Sequence, residues 1–230
     1  MTKRIAGEWI AEFLGAMFLV IAAVGSRVML YYIMPGEGAL ALVGNAISVA
    51  WVLFALIEVF GPLSGAHFNP VVTMVMYFEK QVGFAKLLSF WAVQILGGIV
   101  GIFLTHVMFS ERFDSVLSIS ENFRGGSRYF SEVIATFILV FTILMLVKQK
   151  STKISMVVSM LVGGLILGTS STMFANPQVT IARIFTDSVS GIGISHALNF
   201  VLMQFTGALI AYALYKIIFE EKDGLKNEKA

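Results

Sequence analysis

Ser64-Gly65-Ala66-His67-Phe68-Asn69-Pro70-Val71-Val72-Thr73 decides how this chain is read, because its second half returns 107 residues later as Asn176-Pro177-Gln178-Val179-Thr180. In both copies of Asn-Pro-x-Val-Thr the Asn side chain suits a helix cap, accepting from free first-turn amides. Pro fits the next position, where its missing N–H is no loss. Both motifs therefore start helices. Each follows a long apolar run with no polar linker, which predicts helix starts at membrane depth with two positive dipole ends turned toward something polar.

The chain around these motifs is built for a bilayer. Of 230 residues, 57% are hydrophobic and only 13% charged, against about 25% charged in a soluble domain. About 20 apolar residues cross a bilayer core, and runs near 6–30, 39–60, 84–109, 130–147, 154–172 and 194–219 meet that length or approach it. The first run has no small-residue cleavage site, so it reads as a span that stays in the mature protein. There is no cysteine, which excludes disulfides and thiolate metal sites. His106 and His196 lack ligand-spaced partners, no metal or other cofactor is expected, and no nucleic-acid patch or phosphate loop is present.

Charge placement gives the orientation. With a cytoplasmic N-terminus, that side holds Arg4 and every lysine (Lys3, Lys80, Lys86, Lys148, Lys150, Lys153, Lys216, Lys222, Lys226 and Lys229). The other side holds Arg27, Arg112, Arg124, Arg128 and Arg183. The bias predicts six spans with both termini inside.

The repeat extends beyond the Asn-Pro pair. Glu12 in the first span matches Glu132 in the fourth, and Gln94-x-x-Gly97 matches Gln204-x-x-Gly207. Three features recur in one order, so two halves of three spans, about 1–110 and 128–220, make one transmembrane domain over 1–230, on a plan that channels and transporters share. Because three is odd, the second half enters the membrane upside down. The drift of the offset from 120 at Glu to 107 at Asn predicts a longer first connection, from Tyr31 to Gly38, than its counterpart near Lys148 to Lys153. Helices over about 69–79 and 176–187 are too short to cross and read as re-entrant. The backbone leading into them is tolerable at that depth only if buried in protein or lining a wet cavity.

At this point the residues resemble the major intrinsic protein family, the aquaporins and aquaglyceroporins. Ser-Gly-Ala-His-Phe-Asn-Pro, the second Asn-Pro, the paired Glu and the paired Gln-x-x-Gly look like that family's signature across nearly the whole chain. The resemblance implies an all-α membrane protein of six tilted helices and two re-entrant half-helices in inverted repeats, assembled as a homotetramer with one pore per subunit. It would sit multi-pass in the plasma (inner) membrane and pass small neutral solutes and water. Carried over by residue, Asn69 and Asn176 look like the donors at the pore centre. The carbonyls of Gly65, Ala66, His67, Thr172, Met173 and Phe174 look like the acceptor ladder. Glu12 and Glu132 look like structural acceptors for the re-entrant loops, and Gln94 and Gln204 like packing partners.

The family's outer constriction is counted from the same motifs and falls on Val49, Gly164, Met173 and Val179. Most members carry Arg where this chain has Val179. A small apolar set resembles a wide solute filter more than a water-selective one. Arg183 sits one turn beyond Val179, about 6 Å outward at 1.5 Å per residue. Helical side chains lean toward the N-terminus, here back toward the pore centre. Arg183 is therefore expected to refill part of the vacant place, against the plainer reading that it only neutralises Asp187.

Two functions compete. One is a passive channel for glycerol-like polyols, neutral metalloid hydroxides and water. The other is a proton-coupled secondary transporter of inverted-repeat type using Glu12 or Glu132. An enzyme is not expected, since no catalytic constellation lies within the spans.

Overall fold

A computed structural model describes the backbone of residues 3–227 and the side chains of residues 5–219. The side chains of Lys3, Arg4, Lys222 and Lys226, and Lys229 altogether, lie outside the described residues.

The first span is one long rod. α1 (Lys3–Val20) runs through a π turn, Ile21–Gly25, into α2 (Ser26–Ile33). The π turn inserts a residue into the ladder, and its loosened carbonyls find side-chain donors. Ser26 Oγ donates to Ala22 O at 2.5 Å, and Asn45 Nδ2 donates to Ala23 O at 2.9 Å. α3 (Gly38–Ser64) returns and stops at Gly65, whose φ of +94° is a left-handed cap that glycine adopts without strain. α4 (Pro70–Phe78) is the first half-helix and α5 (Phe84–Met108) the next span. α6 (Ser127–Lys148), α7 (Ile154–Gly168), α8 (Pro177–Ala182) and α9 (Ile194–Asn227) repeat the order span, span, half-helix, span.

Two expected boundaries move. α7 ends at Gly168 rather than near 172, because Thr169 turns extended. Its hydroxyl donates to Leu165 O at 2.6 Å and accepts from Met173 N at 3.0 Å, so it ends one element and starts the next loop. Fifteen residues rise about 22 Å, and the re-entrant loop completes the depth. α8 ends at Ala182, and Arg183–Phe185 form a 3-10 turn where a helix to 187 was expected. The connections that follow α5 and α8 cause this: Ile192 N bonds Arg183 O, Ser120 N bonds Ile184 O and Ser118 N bonds Phe185 O. The offset drift also has a different origin from the one expected. The first connection is only residues 34–37, and the surplus lies mainly in α3, with 27 residues against 15 in α7.

One interface of the same kind holds each half together. α1 packs on α5 and α6 on α9, at matching glycines. A Cβ on Gly97 would strike Phe13 O, and one on Gly207 would strike Val133 O. Backbones approach this closely only where a side chain is absent. The outward sides carry exposed apolar residues such as Trp51, Phe130 and Met160, as a lipid-facing surface does. Glu8–Lys86 at 2.9 Å, Glu79–Lys216 at 3.9 Å and Lys148 over Phe219 at 5.1 Å place the start of α1 and the end of α9 on one face.

Candidate functional site

Each half-helix is seeded by its own cap. Asn69 Oδ1 accepts from Val71 N and Asn176 Oδ1 from Gln178 N, both at 3.1 Å. The amide nitrogens then cross between the halves: Asn69 Nδ2 donates to Ala175 O and Asn176 Nδ2 to Phe68 O, each at 2.9 Å. Each carbonyl precedes the opposite asparagine, so the two tips are tied by a reciprocal pair of bonds. A primary amide has two N–H groups, so each nitrogen keeps one for a further acceptor. Both asparagines line one cavity of about 420 Å³.

Buried carboxylates shape the loops feeding these tips. Glu12 accepts from Ser64 Oγ at 2.6 Å, His67 N at 2.9 Å, Phe68 N at 2.7 Å and Gln94 Nε2 at 2.7 Å. Glu132 accepts from Phe174 N at 3.0 Å, Ala175 N at 2.8 Å and Gln204 Nε2 at 2.6 Å. With the amides turned toward the carboxylate, the loop carbonyls face away. That needs positive φ at Gly65, Ala66 and Phe68, and again at Thr172, Met173 and Ala175, the same places in each repeat. Non-glycine residues hold that conformation only where surroundings over-determine it. Here the carboxylates do so. No described group donates to the carbonyls of Gly65, Ala66, His67, Thr172, Met173 or Phe174, and all six residues line the cavity. The result is two short acceptor ladders meeting at a pair of donors.

The glutamines extend the same network. Gln94 Nε2 also donates to Thr73 Oγ1 at 3.0 Å and Gln204 Nε2 to Thr180 Oγ1 at 2.8 Å, while each threonine hydroxyl bonds its asparagine's carbonyl. His67 Nδ1 lies 3.1 Å from Thr73 Oγ1. With the hydroxyl proton on Asn69 O, as its twin's is on Asn176 O, Nδ1 is the donor to Thr73; with that proton turned to Nδ1 the roles reverse. His67 both braces its loop and lines the cavity.

These contacts set loop carbonyls on either side of a pair of amide donors along the wall of one cavity. A family model described as Major intrinsic protein matches residues 1–175. The chain belongs to the major intrinsic protein family. It is 36% identical over 212 residues to "Aquaglyceroporin AqpS" of Rhizobium meliloti, covering 92% of this chain and 89% of that one. It is 30% identical over 175 residues to an aquaglyceroporin of Toxoplasma gondii, covering 74% and 66%. Aquaporin-4 of Rattus norvegicus is 26% identical over 230 residues, covering 91% and 66%. In fold, the X-ray structure of the aquaglyceroporin from Plasmodium falciparum superposes with a TM-score of 0.69 at 20% identity, covering 92% and 95%. The chain is a multi-pass membrane channel, not an enzyme, of the class that passes water and glycerol-like solutes.

Within the family frame, the four expected filter positions separate. Val49, Met173 and Val179 line the cavity, and Arg183 lies in its wall with them, buried to 8% exposure. Its guanidinium lies over the Phe174 ring, 4.2 Å from the centroid. Gly164 is a correction: it is exposed on the outside of α7, with open space where a side chain would stand. The cavity wall of α7 is instead Ile154, Val158, Val162 and Ile166, one face at helical spacing. Sequence reasoning also passed over Asn45, which lines this cavity and a second one shared with Arg27 and Arg183, and holds Ala23 O of the π turn. Its signal was available, since an amide side chain within an apolar span is costly unless it is hydrogen-bonded or lines a wet cavity. Phe174 as a platform for Arg183 had no local signal.

Proposed function

We propose that this family member is a passive channel for glycerol-like polyols and neutral metalloid hydroxides, with water moving in the same file. The observation that carries the reading is the reciprocal Asn69–Ala175 and Asn176–Phe68 pairing, which holds two amides side by side with one N–H each to spare. A hydroxylated solute entering the waist exchanges water for a loop carbonyl, then for an amide N–H, then for a carbonyl of the other ladder. Two half-helix N-termini add a positive potential that disfavours cations at the same place. Val49, Met173 and Val179 supply no bulky ring to narrow the outer end, while Arg183 contributes a donor from one turn above. The relatives named aquaglyceroporin support a solute larger than water.

The finer arrangement follows the same reading: a homotetramer with one lane per subunit, both termini cytoplasmic, in the plasma membrane, with residues 1–230 acting as one channel domain. The proton-coupled alternative has no comparable support. Glu12 and Glu132 are fully buried, closed in by donors, and absent from the cavity wall.

Stopped-flow swelling of proteoliposomes tests the proposal. Glycerol and neutral arsenite should enter without saturation and without response to a proton gradient. Val179→Arg should suppress both more than water. Saturation or gradient dependence would favour a transporter, and equal loss of all three fluxes would remove Val179 from the filter.

A further inference from the structure

A second cavity of about 370 Å³ lies above the first, walled by Arg27, Arg124, Arg128 and Arg183 together with Asn45 and Ser190. No carboxylate lines it, and among the described residues none of the four arginines is ion-paired. Proteins normally neutralise or bond charges that leave water. Only Arg124 is so treated: its Nε donates to Gly191 O at 2.7 Å and one terminal nitrogen to Val189 O at 3.1 Å. Burial first, then the charges of Arg128 and Arg27, push Arg124 down to about 10, which leaves it protonated at neutral pH. Arg183 is 8% exposed and its Nε has no acceptor, and a terminal nitrogen of Arg27 is buried in the same state. Arg124 and Arg183 both lie over the Phe174 ring, at 4.9 and 4.2 Å from its centroid, so one ring carries two like charges. The one carboxylate whose charge reaches Arg124 and Arg183 is Glu132, which is absent from the cavity wall and already accepts from Phe174 N, Ala175 N and Gln204 Nε2, so no anion faces the cluster inside the vestibule.

We propose that this vestibule binds a small free oxyanion of the phosphate type on the guanidinium forks of Arg27, Arg128 and Arg183, and that the bound ion obstructs the channel mouth. Planar forks match the oxygens of a tetrahedral oxyanion two at a time, which chloride does not reproduce. Obstruction follows because Arg183 and Asn45 wall both cavities, so an ion held on Arg183 stands at their junction. Binding is independent of the transport reading, whereas obstruction rests on it.

The test is equilibrium dialysis of inorganic phosphate against the purified protein in a sugar detergent, beside swelling assays in phosphate and in chloride at equal ionic strength. One saturable site per chain is expected. Its Kd should rise at least tenfold in Arg128→Gln and in Arg27→Gln, and glycerol flux should fall with phosphate over the same range while chloride leaves it unchanged. Two variants guard against one failing to fold. Short-chain phosphatidylglycerol offers the same phosphate chemistry from a lipid, and failure to displace the ion at matched concentration marks the free ion as the occupant. Absence of phosphate binding, an unchanged Kd in a folded variant, displacement by the lipid, or flux indifferent to bound phosphate would each overturn the proposal. Wild-type glycerol flux without phosphate tests the channel separately.

Discussion

Asn69 uses one amide for two purposes, capping α4 through its oxygen and tying the two tips through its nitrogen. Asn69→Asp separates them, since the carboxylate keeps the cap acceptor and loses the donor. Ala175 O is then buried without a partner and faced by a negative oxygen. Stability should fall by about 1–3 kcal/mol, the usual cost of orphaning a buried polar group, and glycerol flux should fall with it. Thermal unfolding in detergent checks the first and proteoliposome swelling the second; an Asp variant matching the wild type in both would mean the cross-tip bonds carry nothing. Glu132→Gln makes the complementary point. A carboxamide cannot accept on both arms, so the bonds from Phe174 N, Ala175 N and Gln204 Nε2 cannot all survive. A loss of about 1–3 kcal/mol is expected, with flux as indifferent to a proton gradient as before. Gradient dependence that the substitution abolishes would restore the transporter.

Helix faces decide what the elements do. Gly97 and Gly207 let α1 meet α5 and α6 meet α9 with carbonyl oxygen against Cα. Gly97→Ala should force the α1–α5 pair apart, lowering the melting temperature and the yield of folded protein, whereas Gly7→Ala, in open space on α1, should not. On α7 the contrast is functional. Ile166→Phe should lower glycerol flux relative to water flux by narrowing the lane, while Gly164→Ala should leave that ratio unaltered. A changed ratio in Gly164→Ala would reinstate Gly164 as a filter residue. The misplacement of Gly164 shows where sequence reasoning loses its hold. Counting back from Asn176 crosses residues 169–175, which are not helical, and helical phase cannot be carried through them. The tips were legible because Asn-Pro capping is a local rule; the repeat showed that Glu12 and Glu132 share a job, and the family resemblance named that job as bonding the loops. The π turn at Ile21–Gly25 and the Phe174 platform had no such signal, since both depend on contacts between distant segments.

For the molecule as a whole, the lysines and arginines divide between the two faces: Lys86, Lys148 and Lys216 are on the face where α1 starts, and Arg27, Arg124, Arg128 and Arg183 are around the opposite vestibule. With the lysine-rich face cytoplasmic, as the positive-inside bias requires, a cysteine at Ser151 should react with impermeant thiol reagents only in permeabilised cells. Reaction in intact cells would invert the orientation. The chain's lack of cysteine makes such labels unique, and the same property allows the most direct test of the lane itself. A single cysteine at Val162, on the cavity wall of α7, should be modified by a small water-soluble thiol reagent, with glycerol flux lost as modification proceeds. A single cysteine at Gly164, on the outside of the same helix, should leave flux intact whether or not it reacts. Flux that survives complete modification at Val162 would place the solute path somewhere other than between the two asparagine tips.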